Sequence, residues 1–151
     1  MIRKLLNRLR RDNRGAVIIE TAIAAPVLAL MGLGAFQVSQ AVARQHELQT
    51  GADDAASMAL AGWSSGTGDT TAIKDVLKRT LSLSDTQVNI VTKYRCGMDT
   101  TYVDDKTTCA AGSIVTTYLR IRLADTYTPM WVDFGVGSPI NYNVARTVLV
   151  S

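Results

Sequence analysis

The N-terminal third of the chain contains one long apolar segment. Residues 21–43 form a run of 23 positions without a formal charge, built mostly from Ala, Val, Leu, Ile, Met, Gly and Phe. As an α-helix this run would extend about 34 Å, against about 30 Å for the hydrocarbon core of a bilayer. The pattern therefore predicts a membrane-spanning helix and argues against a soluble single domain.

Beyond this run, small and apolar residues recur at steps of three and four as far as Trp63. This period is typical of a helix with one apolar face. We therefore expect one helix from Ala16 to about Gly62, followed by a Ser- and Gly-rich connector at residues 64–68. The apolar face of its second half, residues 44–62, requires a cover.

A short helix and three strands are predicted after the connector. Asp69 or Thr70 can cap a helix that runs through Leu81. Alternating apolar positions predict strands at residues 88–94, 115–123 and 140–150. Because no helix separates these strands, we expect antiparallel pairing and packing against the second half of the long helix. The predicted fold class is α+β.

Charge is distributed unevenly along the chain. The formal net charge is +3, yet six basic residues and only Asp12 as an acid precede Ala16, and residues 16–151 carry a net charge of −2. The basic character therefore belongs to a short N-terminal segment, so a nucleic-acid partner is not expected. Because Lys and Arg accumulate on the cytoplasmic side, the N-terminus should face the cytoplasm and residues after 44 should be exported.

Three fates of the N-terminal segment are open. Ala41-Val42-Ala43 fits the A-x-A pattern of a secretory cleavage site, although the apolar run exceeds the usual signal length of about 7–15 residues. Cleavage after Gly15 is the second possibility, because a glycine places no side chain at the cut peptide. The third is an uncleaved anchor. Glu20 costs about 2.5–3.5 kcal/mol at a bilayer centre, so we expect it to have a partner.

Residues 15–20 read GAVIIE, which resembles the processing site of type IV prepilins and pseudopilins. Residues 10–62 as a whole resemble the TadE-like (TadE/TadG) minor pilins of tight-adherence, or Flp, pilus systems. The shared features are an Arg-rich leader ending in Arg-Gly, an apolar helix with Glu20 and an early Pro26, and an Ala-rich helix over residues 51–61. Thr21 departs from the family, in which an aromatic residue is frequent at this position.

The resemblance implies a pilin-like subunit that a prepilin peptidase cuts between Gly15 and Ala16. The Glu20 carboxylate would then neutralise the new amino group of a neighbouring subunit. The expected partners are other pilins, the prepilin peptidase, the inner-membrane assembly platform and the membrane. The expected location is the bacterial inner membrane and then a surface pilus.

Four regions follow from these expectations. They are a basic leader at residues 1–15, a transmembrane half-helix at 16–43, an exported half-helix at 44–62 and an α+β head at 63–151. The alternative function is an uncleaved, single-pass membrane-anchored protein whose exported head binds a ligand. A secreted domain cut after Ala43 is the third possibility.

Cys96 and Cys109 lie on the side predicted to be exported, where disulfides persist. We expect them to pair, with a stabilisation of about 3 kcal/mol for a loop of this size. Two cysteines without histidine partners do not complete a zinc site, so no metal is expected. The intervening aspartates lack the spacing of a calcium loop, which favours a solvated acidic loop. These are Asp99, Asp104 and Asp105.

The sequence gives little support for an enzymatic function. His46 is the single histidine, and there is no phosphate-binding glycine loop or H-E-x-x-H. The one G-x-S-x-G match, at residues 62–66, lies in the connector after the predicted helix and not on the strand-to-helix turn that this motif requires. We therefore expect no catalytic residue and no cofactor. Met130, Trp131 and Phe134 follow the turn at residues 127–129 and form an apolar segment. This segment can be a contact patch, or it can be buried under the sheet.

Overall fold

The computed structural model describes residues 14–66 and 68–151. Two helices come first, α1 at Arg14–Ser64 and α2 at Thr70–Leu81. Three strands follow, β1 at Val88–Cys96, β2 at Val115–Tyr127 and β3 at Ile140–Leu149. They form one antiparallel sheet in the order β1-β2-β3. The predicted fold, α+β and pilin-like, is confirmed, whereas most of the predicted leader, residues 1–13, lies outside the described residues.

The chain divides into two compact units, of which the first ends at Gln40. Its described residues are helical, and α1 continues without interruption through Pro26. The large apolar side chains from Val17 to Val38 are 53–69% exposed. From Val17 to Ser64 the helix is long and apolar enough to cross a membrane. No protein layer of this unit covers those side chains among the described residues.

The second unit, Ala41–Ser151, has a hydrophobic core between helix and sheet. The core side chains of α1 lie on one stripe, at Leu48, Ala52, Ala55 and Ala59. Those of β2 alternate along the central strand, at Leu119, Ile121 and Leu123. Ile73, Leu77 and Leu81 of α2 close the side of this core. Because three of the four α1 residues are alanines, the sheet can approach the helix backbone closely.

The ends of α2 follow from local chemistry. Asp69 caps its N-terminus by accepting a hydrogen bond from the Thr71 backbone N–H at 2.8 Å, as the sequence predicts. α2 packs tightly against α1 at Gly51, where an added Cβ would lie 2.7 Å from a Leu81 methyl group. An alanine at this position would therefore force the Leu81 side chain to move.

The strands fix two ends of the second unit. Tyr142 near the start of β3 bonds to Ala41, and Arg146 further along β3 bonds to Asp53, so β3 runs in the same direction as α1. We call the Ala41 side the proximal end. β3 finishes beside Tyr118 of β2, and the first residue of β2 pairs with Cys96 beyond that point. The loop between β1 and β2, residues 97–114, therefore lies at the opposite, distal end.

Candidate functional site

The predicted processing residues lie at the start of α1. Gly15 and Ala16 are helical, and Glu20 follows one turn later with an exposed side chain. The neighbouring Thr21 hydroxyl donates to the Val17 carbonyl oxygen at 2.8 Å, which satisfies its polarity within the helix. Among the side chains that the structure describes, none forms an ion pair with Glu20. The roles of these residues in processing and assembly stay predictions.

Arg44 is the first charged residue after the apolar run and joins three parts of the second unit. Its Nε lies 2.7 Å from an Asp125 carboxylate oxygen, and its two terminal nitrogens donate to Glu47 and to the Leu81 carbonyl oxygen. The Gln87 amide donates to the other Asp125 oxygen at 2.8 Å. Since both Arg44 and Asp125 are largely removed from water, this network ties α1, the end of α2 and β2 together at the proximal end.

β3 is attached to α1 by two further polar contacts. The Tyr142 hydroxyl is buried and donates to the Ala41 carbonyl oxygen at 2.8 Å. Burial raises the pKa of this tyrosine, which keeps it a neutral donor. Arg146 pairs with Asp53 at the surface, and the hydrogen bond that it donates to the Asp53 carboxylate raises the pKa of the guanidinium. The head is therefore held on α1 by polar contacts around an apolar core.

The two cysteines lie at the distal end, Cys96 as the last residue of β1 and Cys109 in the distal loop. Cys96 and Cys109 are joined by a disulfide with a Cα–Cα distance of 5.4 Å. Asp104 pairs with Lys93, and Asp105 accepts a hydrogen bond from the Thr107 backbone N–H, which lowers the pKa of its carboxyl. These carboxylates thus have separate local partners. Within the described residues no group of three or more His, Cys, Asp or Glu side chains is placed to hold a metal ion.

The predicted apolar segment forms a 3-10 turn over Met130–Phe134 at the proximal end. Met130 is 55% exposed and Phe134 80% exposed, whereas Trp131 is half-buried. The two interpretations from the sequence therefore apply to different residues: the indole is partly covered by protein, and the side chains on either side of it face outward.

Three arginines share the face of the sheet that points away from α1. The strand register places Arg95, Arg120 and Arg122 on this face, and the Arg95 guanidinium lies 5.5 Å from the centre of the Tyr118 ring. The Nε atoms of Arg95 and Arg120 are buried without a hydrogen-bond partner, and none of the three pairs with a carboxylate among the described residues. Guanidinium groups in this state suit carboxylate or phosphate oxygens.

The alternation of apolar positions in the second predicted strand places Arg120 and Arg122 on its outward face, whereas no sequence pattern identified Arg95. Arg95 joins them because β1 and β2 pair in a fixed register, which a single strand pattern does not specify. The structural role of Arg44 was also missed. Its position directly after the uncharged run was a usable signal, whereas its partner Asp125 is 81 residues away.

Comparison with known proteins gives one match. Residues 15–57 match the family model described as TadE-like protein. This is a structural, non-enzymatic family. No curated protein and no solved structure matches the chain.

The matched segment contains Gly15, Glu20 and Pro26, on which the resemblance was based, together with the membrane-length part of α1. It stops before α2 and the sheet, so the match does not describe the head. Residues 15–57 are thus similar to TadE-like proteins, as the sequence predicts, and most of them lie in the helix that is long and apolar enough to cross a membrane.

Proposed function

We propose that this chain is a minor pilin or pseudopilin that takes part in the assembly or the tip of a Tad/Flp-type adhesive pilus. The observation that carries the proposal is the coincidence of the TadE-like segment with a half-helix whose large apolar side chains are exposed in the part of the chain that the structure describes. A helix that is apolar all round suits a bilayer first and a bundle of neighbouring helices afterwards. Both environments occur in the life of a pilin.

The proposal includes cleavage after Gly15 by a prepilin peptidase. The N-terminal residue of protein recovered from membranes tests this directly. Ala16 is expected, whereas Met1 would indicate the uncleaved ligand-binding anchor, which the family match does not favour, and Arg44 would indicate a secreted domain. Other pilins, the assembly platform and the peptidase are the proposed partners.

Gly15→Val sharpens the cleavage test because a branched side chain would obstruct the peptidase. In a host with the matching peptidase, the variant should retain its leader and run about 15 residues heavier than wild type. Gly32→Val is the matched control, since Gly32 lies in the same helix with no atom within 4 Å of an added Cβ. Equal masses for Gly15→Val and wild type would contradict the prepilin assignment.

Glu20 is the proposed determinant of subunit register. Cleavage would give Ala16 a new amino group one turn before Glu20, and within one continuous helix the two groups are poorly placed for a direct ion pair. A neighbouring subunit shifted along the bundle axis can bring its amino group to this carboxylate. In an apolar surrounding, that pairing favours one register over others.

Incorporation into pili tests this role. Glu20→Gln should insert into the membrane but be depleted from sheared pili relative to the membrane pool, with Glu20→Asp intermediate because the shorter side chain loses reach. Thr21→Val is the matched control, since it removes a neighbouring polar group that bonds within its own helix. If Glu20→Gln enters pili as well as wild type, Glu20 does not set the register.

The proposed topology places the N-terminus in the cytoplasm and the head outside. The disulfide Cys96–Cys109 provides a test, because cysteines pair in an exported compartment and stay reduced in the cytoplasm. Exported protein should resist thiol labelling until reductant is added, and Cys109→Ser should destabilise the head by about 2–4 kcal/mol. Full labelling without reductant would argue against export of the head.

A further inference from the structure

The loop between β2 and β3 exposes apolar side chains at one end of the head. This β2–β3 loop, residues 128–139, contains one charged residue, Asp133. Met130, Phe134 and Val136 are 55%, 80% and 62% exposed. A soluble surface rarely groups side chains of this size in one short loop, so the group marks an interaction surface.

The loop is ordered by its own hydrogen bonds. The backbone N–H of Val132 donates to Pro129, that of Gly135 to Val132, and that of Val136 to the Trp131 carbonyl oxygen, at 2.9–3.1 Å. Gly135 adopts φ 75°, a conformation that favours glycine, and ends the 3-10 turn. The exposed side chains are therefore presented by a turn that three backbone hydrogen bonds hold in shape.

The position of the loop in the head identifies its surroundings. Three residues after the loop ends at residue 139, the Tyr142 hydroxyl donates a hydrogen bond to the carbonyl oxygen of Ala41. At the other side of the loop, Asp125 near the end of β2 pairs with Arg44. Because β3 runs away from Ala41 towards Asp53, the residues that precede it lie at the proximal end. The loop is thus at the end where the chain enters the head.

That end coincides with the end of the apolar run. Residues 21–43 carry no charge and Arg44 is the next residue, so a helix that crosses a bilayer with this run leaves the hydrocarbon at the level of Ala41 and Arg44. Aromatic and apolar side chains concentrate at this level in membrane proteins, with polar atoms towards the headgroups. When the run spans the bilayer, the chain therefore enters the head close to the lipid interface.

The β2–β3 loop differs from the distal loop in its position in the head and not in the exposure of its apolar side chains. The distal loop also exposes apolar side chains, with Met98 at 101% and Ile114 at 77%. It lies beyond the far end of β3, at the opposite end of the second unit from Ala41. The two loops are thus a natural pair for comparison, similar in exposure and opposite in location.

We propose that the β2–β3 loop inserts Met130, Phe134 and Val136 into the lipid interface of the membrane that residues 21–43 span. Asp133 stays in the headgroup layer, where its charge remains hydrated. This contact between the loop and the bilayer holds the proximal end of the head at the membrane before assembly. Lipid then covers the apolar surface of the loop. This inference rests on the membrane insertion in the proposed function but not on cleavage or pilus incorporation.

The two tryptophans of the chain allow a direct test. Trp131 lies in the loop, whereas Trp63 is 22 residues after Ala41 on the same helix, about 33 Å further along. Trp63→Phe leaves only the loop fluorophore, and Trp131→Phe leaves only the distant one. The full chain with each change is reconstituted into phosphatidylcholine–phosphatidylglycerol vesicles whose acyl chains are brominated at shallow or deep positions.

Bromine should reduce the Trp131 emission at least twofold, more strongly from shallow than from deep positions, and leave the Trp63 emission unchanged. Met130→Ser with Phe134→Ser should remove most of this quenching. Met98→Ser with Ile114→Ser is the matched control and should leave it intact. Equal quenching of both tryptophans, or no quenching of Trp131, overturns the inference.

Two measurements on the same vesicles separate the possible failures. Carbonate extraction shows whether the chain is inserted: release from the vesicles defeats the proposed membrane insertion, whereas a retained chain without Trp131 quenching defeats only the loop inference. Dilution of protein in lipid tests a second copy as occupant. Quenching that appears only on dilution means that another copy covers the loop in preference to lipid, which also overturns the inference.

Discussion

The two halves of α1 belong to one continuous helix but differ in how their apolar side chains are buried. In the first half, large side chains such as Leu28 and Phe36 are 66% and 58% exposed. In the second half, Leu48 and Ala55 are fully buried against the sheet. Large apolar residues on all faces suit lipid or other helices, whereas a narrow stripe of mostly small residues accepts a sheet at close range. The apolar residues of a helix show that it must be buried, and their size and arrangement indicate whether lipid, other helices or a sheet can bury it.

The glycines of the two halves show the same contrast. An added Cβ at Gly32 or Gly34 meets no atom within 4 Å, whereas at Gly51 it would meet Leu81. The ion pairs found among the described residues also lie in the second unit. The second half of α1 is thus part of a folded domain. The large apolar side chains of the first half, in contrast, are exposed among the described residues.

The strongest way to break this comparison is to truncate a leucine in each half. Leu48→Ala should destabilise the head by about 2–5 kcal/mol, because it leaves a cavity between α1 and the sheet. Leu28→Ala should leave the unfolding free energy of the head unchanged, since no core contact is lost. Chemical unfolding of the detergent-solubilised chain, followed by near-UV circular dichroism, measures both. Equal losses would show that the halves are not energetically distinct.

Arg44 tests the boundary between the halves. Arg44→Met should destabilise the head by about 1–3 kcal/mol, because the Asp125 carboxylate and the Leu81 carbonyl oxygen lose a donor in a region of limited water access. Arg79→Met is the control, since Arg79 is exposed on α2 and forms no ion pair among the described residues. The same unfolding assay applies. If both variants unfold alike, the Arg44 network does not hold the head on the helix.

Replacing a glycine by alanine in each half should have a smaller effect, which lowers the stability of the head only for the glycine in the second half. Replacing glycine in a helix gains about 1 kcal/mol, and overpacking costs about 1–3 kcal/mol. Gly51→Ala should therefore give a net loss of about 1 kcal/mol because Leu81 must move, whereas Gly32→Ala should leave the head unchanged and raise helicity. Unfolding curves and far-UV circular dichroism provide the two readouts. A gain in stability for Gly51→Ala would show that Leu81 has room to move.

The smallest expected effect is a pH dependence confined to the head. Hydrogen bonds from Lys78 and Lys74 lower the pKa of Asp85 below its usual value of 3.8. The folded state therefore gains stability from this carboxylate above the unfolded pKa and loses it as the pH falls through the lower, folded value. Asp85 is exposed, so the gain is small and should disappear in about 1 M salt.

Asp85→Asn provides the comparison for this pH effect. Its unfolding midpoint should fall less than that of wild type between neutral pH and the acid range, and the two should converge in high salt. Identical pH profiles at low salt would mean that the pair of lysines contributes nothing measurable.

The elements of the fold could be predicted with little error. The Asp69 cap and the end of α2 at Leu81 are as expected. β2 extends to Tyr127, four residues past the predicted end, because its last residues pair with β3. The alternation of apolar and polar residues does not continue beyond Leu123, because Asp125 and Thr126 are both polar. Their side chains bond to the side chains of Gln87 and Asn141, which lie far away in the sequence.

The sequence could identify a candidate site only where its residues are close together in the chain. Gly15, Glu20 and the apolar segment around Trp131 are read from consecutive residues. The Arg44–Asp125 pair and the three-arginine face depend on residues far apart in the chain, so their partners emerge only with the strand register.

The sequence by itself determined the membrane-length helix, the amphipathic stripe, the strand positions and the TadE-like segment, because each depends on the period or order of neighbouring residues. The tertiary structure decided which end of the head lies next to Ala41 and therefore where each loop points. Those features depend on contacts between distant residues, such as the hydrogen bond from Tyr142 to Ala41. No local period encodes such a contact, since its geometry exists only after the sheet has closed on the helix.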